Sequence, residues 1–162
     1  MSLASRVLVS ALFATTFGLL AALPATAADR SVEVRLDARG TQYEIDGDGD
    51  YKIVIGFTAE QRTQLVFVSG STESVAGFTV REVFSPAARL DQDGVDGAKA
   101  LELLRASRRQ KLGSWEIAGD VLYFVIKLPD TVDAVQLDAA IRIAAEQADD
   151  AEIKFSGSTD AL

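Results

Sequence analysis

Apolar residues recur every second position through much of the first half of the chain, the period of a strand with one buried face. Residues 42 to 46 and 51 to 57 are two such runs, joined by Gly47-Asp48-Gly49-Asp50, the composition of a tight hairpin connection. Tyr51, Ile53, Ile55 and Phe57 then share one face. A polar break at residues 60 to 62 precedes a third run at 63 to 68, and a fourth follows a Gly/Ser/Thr loop at 78 to 84. The pattern predicts an antiparallel meander that Pro86 ends. Residues 31 to 37 alternate Val32, Val34 and Leu36 with charged neighbours, which predicts an edge strand with a short helix as the alternative.

The period changes after the acidic linker at 91 to 96. Residues 97 to 111 predict a helix whose apolar side is Ala100, Leu101, Leu103 and Leu104. Asp93 or Asp96 is placed to cap its free N–H groups, and Arg105, Arg108, Arg109 and Lys111 gather where the dipole favours cations. A second hairpin, 114 to 118 and 121 to 128, turns at Gly119-Asp120 and stops at Pro129. Its second strand has six consecutive apolar residues, so both faces are covered and it belongs inside the sheet. A helix at 132 to 148 carries Leu137, Ala140, Ile141, Ala144 and Ala148 at helical spacing, and 152 to 155 predict a last short strand. The fold class is therefore α+β: an antiparallel sheet, meander plus hairpin, with two main helices on one face.

The first residues follow neither period. Arg6 precedes an uncharged run from 7 to 23, shorter than the roughly 20 apolar residues that span a bilayer. Pro24 and the small residues Ala25-Thr26-Ala27 follow, and charge returns at Asp29 and Arg30. This is the layout of a cleavable signal peptide, residues 1 to 27, cut between Ala27 and Ala28. Export to the periplasm or the medium is expected, with no membrane attachment after cleavage. Residues 28 to 155 form one domain, and 156 to 162 a polar tail.

Removing 27 of 162 residues leaves 135, enough for one packed core without disulfides, which matches a chain that has no Cys. Arg6 is the only charge removed, so the net charge goes from −8 to −9. Such a surface opposes phosphate backbones, and nucleic acid is not an expected partner. Without His or Cys the commonest general base, metal imidazole and thiolate are missing, and without Asn there is no glycosylation acceptor.

Several clusters remain. Asp46, Asp48 and Asp50 have the spacing that opens a calcium loop, but Tyr51 and Phe57 stand where that loop needs Gly and Glu, so a solvated turn is the better reading. The four cations at 105 to 111 read as a docking patch or a solvated helix end, and the latter is favoured. Trp115, Tyr123 and Phe124 read as core rather than a ligand pocket. Asp91, Asp93, Asp96, Asp149 and Asp150 lie in helix flanks and linkers, where capping and solvation account for them. No Gly-x-Ser-x-Gly or Ser-x-x-Lys motif occurs. No catalytic, cofactor-binding or metal residue is assigned.

From Tyr43 to about Phe155 the chain resembles the YbjN family, bacterial proteins described as sensory transduction regulators and grouped with type III secretion chaperone-like folds. The most specific stretch is LELLRASRRQKLGSWEIAGDVLYFVIKLPDTVDAVQLDAAIRIAAEQAD. It has a Leu-Leu helix, then Gly113 and Trp115, a hairpin with Asp120, Leu122 and Phe124, a Leu128-Pro129 stop and a helix closing on Ala148-Asp149. The segment YEIDGDGDYKIVIGF resembles the family's early hairpin. Two features depart: the usual first helix is missing, shortened or replaced by the run at 32 to 36, and Ser107 stands near a common Asn. The resemblance implies a chaperone-like module that binds a protein partner or pairs with itself, without enzymatic activity or cofactor. The alternatives are a carboxylate-based hydrolase or lyase and a small-molecule carrier. Export would separate this chain from cytoplasmic signalling and from ATP, so any chaperone-like action would be passive binding.

Overall fold

The computed structural model describes residues 30–59 and 61–156; the segment 1–27 expected to be a signal peptide and residues 157–162 lie outside them. The chain runs α1 (Arg30–Asp37), β1 (Glu44–Ile45), β2 (Tyr51–Phe57), β3 (Arg62–Val68), β4 (Glu73–Val75), β5 (Phe78–Arg89), α2 (Gly97–Ser107), β6 (Ser114–Ala118), β7 (Val121–Pro129) and α3 (Ala134–Ser156). The seven strands form one antiparallel sheet in the order β1-β2-β3-β5-β7-β6, with β4 paired to the protruding start of β5. The fold is α+β, as the periodicity predicts, and β7 lies between β5 and β6.

All three helices serve one face. Tyr51 and Ile53, Val66 and Val68, Val83, and Phe124 and Ile126 point from four strands into a core closed by Val32 and Leu36 of α1 and by Leu137, Ala140, Ile141, Ala144 and Ala145 of α3. A smaller cluster joins Ala87, Ala88 and Leu122 to Leu103 of α2 and to Ala148 and Ala151. Small alanines along α3 let the helix lie close on the strands, so close packing replaces bulk. None of the described helices is long and apolar enough to cross a membrane.

Residues 31 to 37 are a helix, not the predicted edge strand. Val32 and Leu36, four apart, are buried together, whereas Val34 between them is 67% exposed. Arg35 fixes that choice. Its guanidinium donates to the Asp130 and Val132 carbonyls at 3.1 and 3.3 Å and to the Asp130 carboxylate at 3.0 Å.

Pro86 does not end its strand; β5 continues to Arg89 with a register shift between Pro86 and Ala88. Proline has no N–H to give a ladder, and here side chains replace the ladder toward β3. Gln64 Nε2 donates to the Pro86 carbonyl at 2.7 Å and to Ser85 Oγ at 3.0 Å, while Ser85 Oγ donates to the Leu65 carbonyl.

The predicted strand at 152 to 155 is the last turn of α3, which starts at Ala134 rather than Val132. Asp133 Oδ1 accepts the Gln136 N–H at 2.8 Å, and Gln136 Oε1 accepts the Asp133 N–H at 3.1 Å, a reciprocal cap. The helix continues past Ala148 because Asp149 and Glu152 grip a buried arginine. Arg62 donates from Nε to Asp149 at 2.8 Å and from a terminal nitrogen to Glu152 at 2.9 Å.

Helix α2 stops at Ser107, short of the predicted Lys111. Ser107 Oγ donates to the Leu103 carbonyl at 3.0 Å and accepts the Trp115 N–H at 3.1 Å, tying the helix end to β6. Gly113 completes the turn at φ +84°, and a Cβ there would lie 2.6 Å from the Phe124 ring. Of the four apolar positions predicted for its buried side only Leu103 is buried; Leu101 and Leu104 are 54% and 61% exposed.

Candidate functional site

The strand residues between the core positions form the second face of the sheet, and none of the described helices packs on it. The registers set Val54 beside Leu65, Phe67 beside Phe84, Phe84 beside Val125, and Pro86 beside Tyr123. Three aromatics line up across β3, β5 and β7. Phe67 stacks on Phe84 with ring centroids 5.2 Å apart and planes 11° from parallel, and Tyr123 meets Phe84 edge-on at 5.9 Å. All three are half-buried by one another.

Farther along β5, beyond the Glu82–Lys127 pair, lies the β4–β5 hairpin, where Val75 pairs with Phe78, and Phe78 is 68% exposed. Ala76 and Gly77 make its turn with φ of 50° and 88°. An open trough of about 560 Å³ lies along the hairpin, lined by Val75, Phe78 and Val80 with Glu73, Glu82 and Lys127 at its polar side. Lys127 Nζ stands 3.0 Å from Glu116 and 3.5 Å from Glu82. The hydrogen bond to Glu116 is the largest influence holding the ammonium's pKa above the ordinary lysine value. Adjacent strands lie about 4.8 Å apart, so the five strands from β2 to β6 make a face roughly 20 Å wide. Such a surface is broad and shallow, and its apolar areas are separated by the Glu82–Lys127 charges.

The sequence-predicted clusters fall elsewhere. Asp46 Oδ1 accepts the N–H groups of Asp48 and Asp50, each at 3.0 Å, and Asp50 Oδ1 accepts the Gly70 N–H at 2.9 Å. These carboxylates shape a turn. No group of three or more His, Cys, Asp or Glu among the described residues is arranged to hold a metal. Trp115 and Phe124 pack edge-on at 5.1 Å on the helix side, but Tyr123 is not core. It belongs to the opposite face from its neighbour Phe124, as the strand period requires.

Of the acids singled out from the sequence, Asp96 caps α2 by accepting the Lys99 N–H at 2.9 Å, Asp93 accepts the Arg89 N–H at 2.7 Å, and Asp149 is held by Arg62. Asp91 and Asp150 are exposed. A further buried centre passed unnoticed: Arg81, 2% exposed, meets Asp130 at 2.6 Å and also donates to the Ser69 carbonyl. Burial raises the Asp130 pKa, but donation from Arg81 and Arg35 outweighs it and holds the carboxyl below its ordinary value. The outer-face residues Phe67, Phe78 and Phe84 were missed as a group. Their signal is apolar residues at both phases of the alternation, Leu65 to Val68 and Val83 to Phe84, in strands with helices on one side only.

No family model matches the chain, and no curated protein matches it. The likeness to the YbjN family stands on the residue pattern alone.

Proposed function

We propose that the protein is an exported, non-catalytic binding module that takes a polypeptide partner on the outer face of its sheet, as the YbjN resemblance implies. The observation that carries this reading is the aromatic row Phe67, Phe84 and Tyr123 on a face without helices, with the exposed Val75–Phe78 hairpin farther along β5 beyond the Glu82–Lys127 pair. Exposed apolar surface of this kind beside solvated charges fits an interaction site. Its breadth and open trough fit a polypeptide better than a small ligand, which is held by an enclosed cavity that buries most of its surface. A hydrolase or lyase would need two acids facing one another in a cleft, whereas the buried acids Asp149 and Glu152 and the partly exposed Asp130 are each bound to arginine.

Site-specific photocrosslinking in the native host tests the proposal. A photoreactive residue at Phe78 or Val54 is expected to trap a second, different polypeptide, and one at Val34 on α1 is not. No adduct from either outer-face position, or adducts equal to those from Val34, would overturn it.

A further inference from the structure

On the outer side of β5 the residues Phe84, Glu82, Val80 and Phe78 follow one another at every second position, about 6.8 Å apart at the strand rise of ~3.4 Å per residue. Glu73 of β4 stands opposite Val80, which puts it diagonally beside Glu82 at roughly 7 Å. Two acids are thus set between two phenylalanines roughly 20 Å apart. Both acids are open to solvent. Glu82 keeps 45% of its side chain exposed, and Glu73 meets no cation within 4.0 Å among the described residues. The trough of about 560 Å³ and a notch of about 380 Å³ adjoin here: Glu73, Val80 and Glu82 line both, with Phe78 in the first and Asp48, Asp50 and Phe84 in the second. Lys127, on the β7 side of Glu82, is shared between Glu82 and Glu116, so the row keeps a negative excess. The hydrogen bond to Glu116, with the charge of Glu82 adding to it, raises that ammonium's pKa against the cost of burial, so the field at this surface favours cations.

The outer-face reading leaves the chemistry of the partner open. Resting on that reading, we propose that the segment taken there is extended and cationic, with two apolar residues six positions apart and basic residues at the alternate positions between them. Laid along β5 with the alignment of packed sheets, such a segment repeats the same ~6.8 Å spacing on its facing side. Its apolar ends meet Phe84 and Phe78. Its basic residues reach Glu82 and Glu73, and their alkyl stems cover Val80. An acidic segment would set like charges against both glutamates, and a neutral one would take water from them without giving a partner in return. The net charge of −8 acts in the same direction at longer range, drawing a basic segment toward the molecule.

Three labelled peptides of that pattern test the proposal by fluorescence anisotropy against the protein purified from its native host: one with lysines at the basic positions, one with glutamines and one with glutamates. An exposed ion pair contributes up to about fivefold in affinity, so the lysine peptide is expected to bind at least ~10-fold more tightly than the glutamine peptide, and the glutamate peptide more weakly than either. Raising the salt from ~20 mM to ~500 mM removes most of that preference. Replacing Glu73 and Glu82 with Gln abolishes it and leaves the affinity of the glutamine peptide in place. Phe78→Ser weakens both peptides, and Glu102→Gln on α2, on the covered side of the sheet, changes neither. Equal affinity for the three peptides overturns the proposal and leaves the polypeptide reading standing. So does a lysine preference that survives the double Gln variant, or a photocrosslinked native partner whose trapped segment is neutral or acidic. Binding by none of the peptides also overturns it, and the photocrosslinks from Phe78 and Val54 then decide separately whether the face takes a polypeptide at all.

Discussion

The two faces of the sheet are made by alternate residues of the same strands, yet they are built by different rules. The helix-covered face holds aliphatic and small residues, with Tyr51 and Phe124 among them, at nearly zero exposure, and the charges admitted there are paired: Arg62 with two acids of α3, Arg81 with Asp130. The outer face keeps its aromatics half-buried against one another and leaves its charges solvated, with Lys127 in contact with water beside Glu82 and Glu116. Burying a charge demands a partner with good geometry, whereas a solvated charge costs little and contributes little. One face is committed to the fold, and the other keeps exposed apolar surface such as Val54 and Phe78.

The sharpest way to break this contrast is to disturb a charge on the covered face. Asp130→Ala removes the carboxylate that joins Arg81 of β5 to Arg35 of α1, leaving a buried guanidinium without it. The expected loss is about 3 kcal/mol or more in urea unfolding, with α1 detaching first. The same centre gives a pH signature. Because the folded pKa of Asp130 is depressed, its contribution is present above the unfolded value of about 3.9 and is lost as pH falls through the folded value. Wild-type stability therefore drops below about pH 4, and Asp130→Asn flattens that part of the curve.

A smaller effect is expected at the turn that leads into edge strand β6. Gly113 has φ +84° and no room for a side chain, since a Cβ would press on Phe124 and Ile126. Gly113→Ala meets both penalties, left-handed backbone and overpacking, at about 2 to 3 kcal/mol together. Gly47→Ala is the control: the position is open and its φ is not positive, so a change under about 0.5 kcal/mol is expected by the same measurement.

These particulars also show what the sequence could disclose. The meander, the second hairpin and the long helix were legible because a half-buried strand and an amphipathic helix imprint their periods on the chain. The helix at 30 to 37 was not. Val32, Val34 and Leu36 fit both periods, and the choice is made by Asp130, nearly a hundred residues away, holding Arg35. Pro86 reads as a strand end until Gln64 supplies the missing hydrogen bonds from another strand. Arg62 sat in what looked like a polar break because arginine is normally exposed, and only its two acids on α3 make burial tolerable. The outer face was legible only in part, as aromatics in excess of what one core needs. No local pattern says which side of a sheet its helices will leave open.

The smallest effect on folding is predicted where the proposed function lies. Phe78 stands at the hairpin tip, 68% exposed, so truncating it removes little buried area and creates no cavity. Phe78→Ser should change unfolding free energy by less than about 1 kcal/mol, against roughly 3 to 5 kcal/mol for Phe124→Ala on the covered face, which is fully buried. Binding should rank the two positions in reverse. A serine that leaves the melting curve in place while abolishing partner capture separates an apolar residue kept for contact from one kept for the core. A large loss of stability at Phe78 would instead mean that the outer face is packed against the rest of the chain. The two faces would then no longer differ.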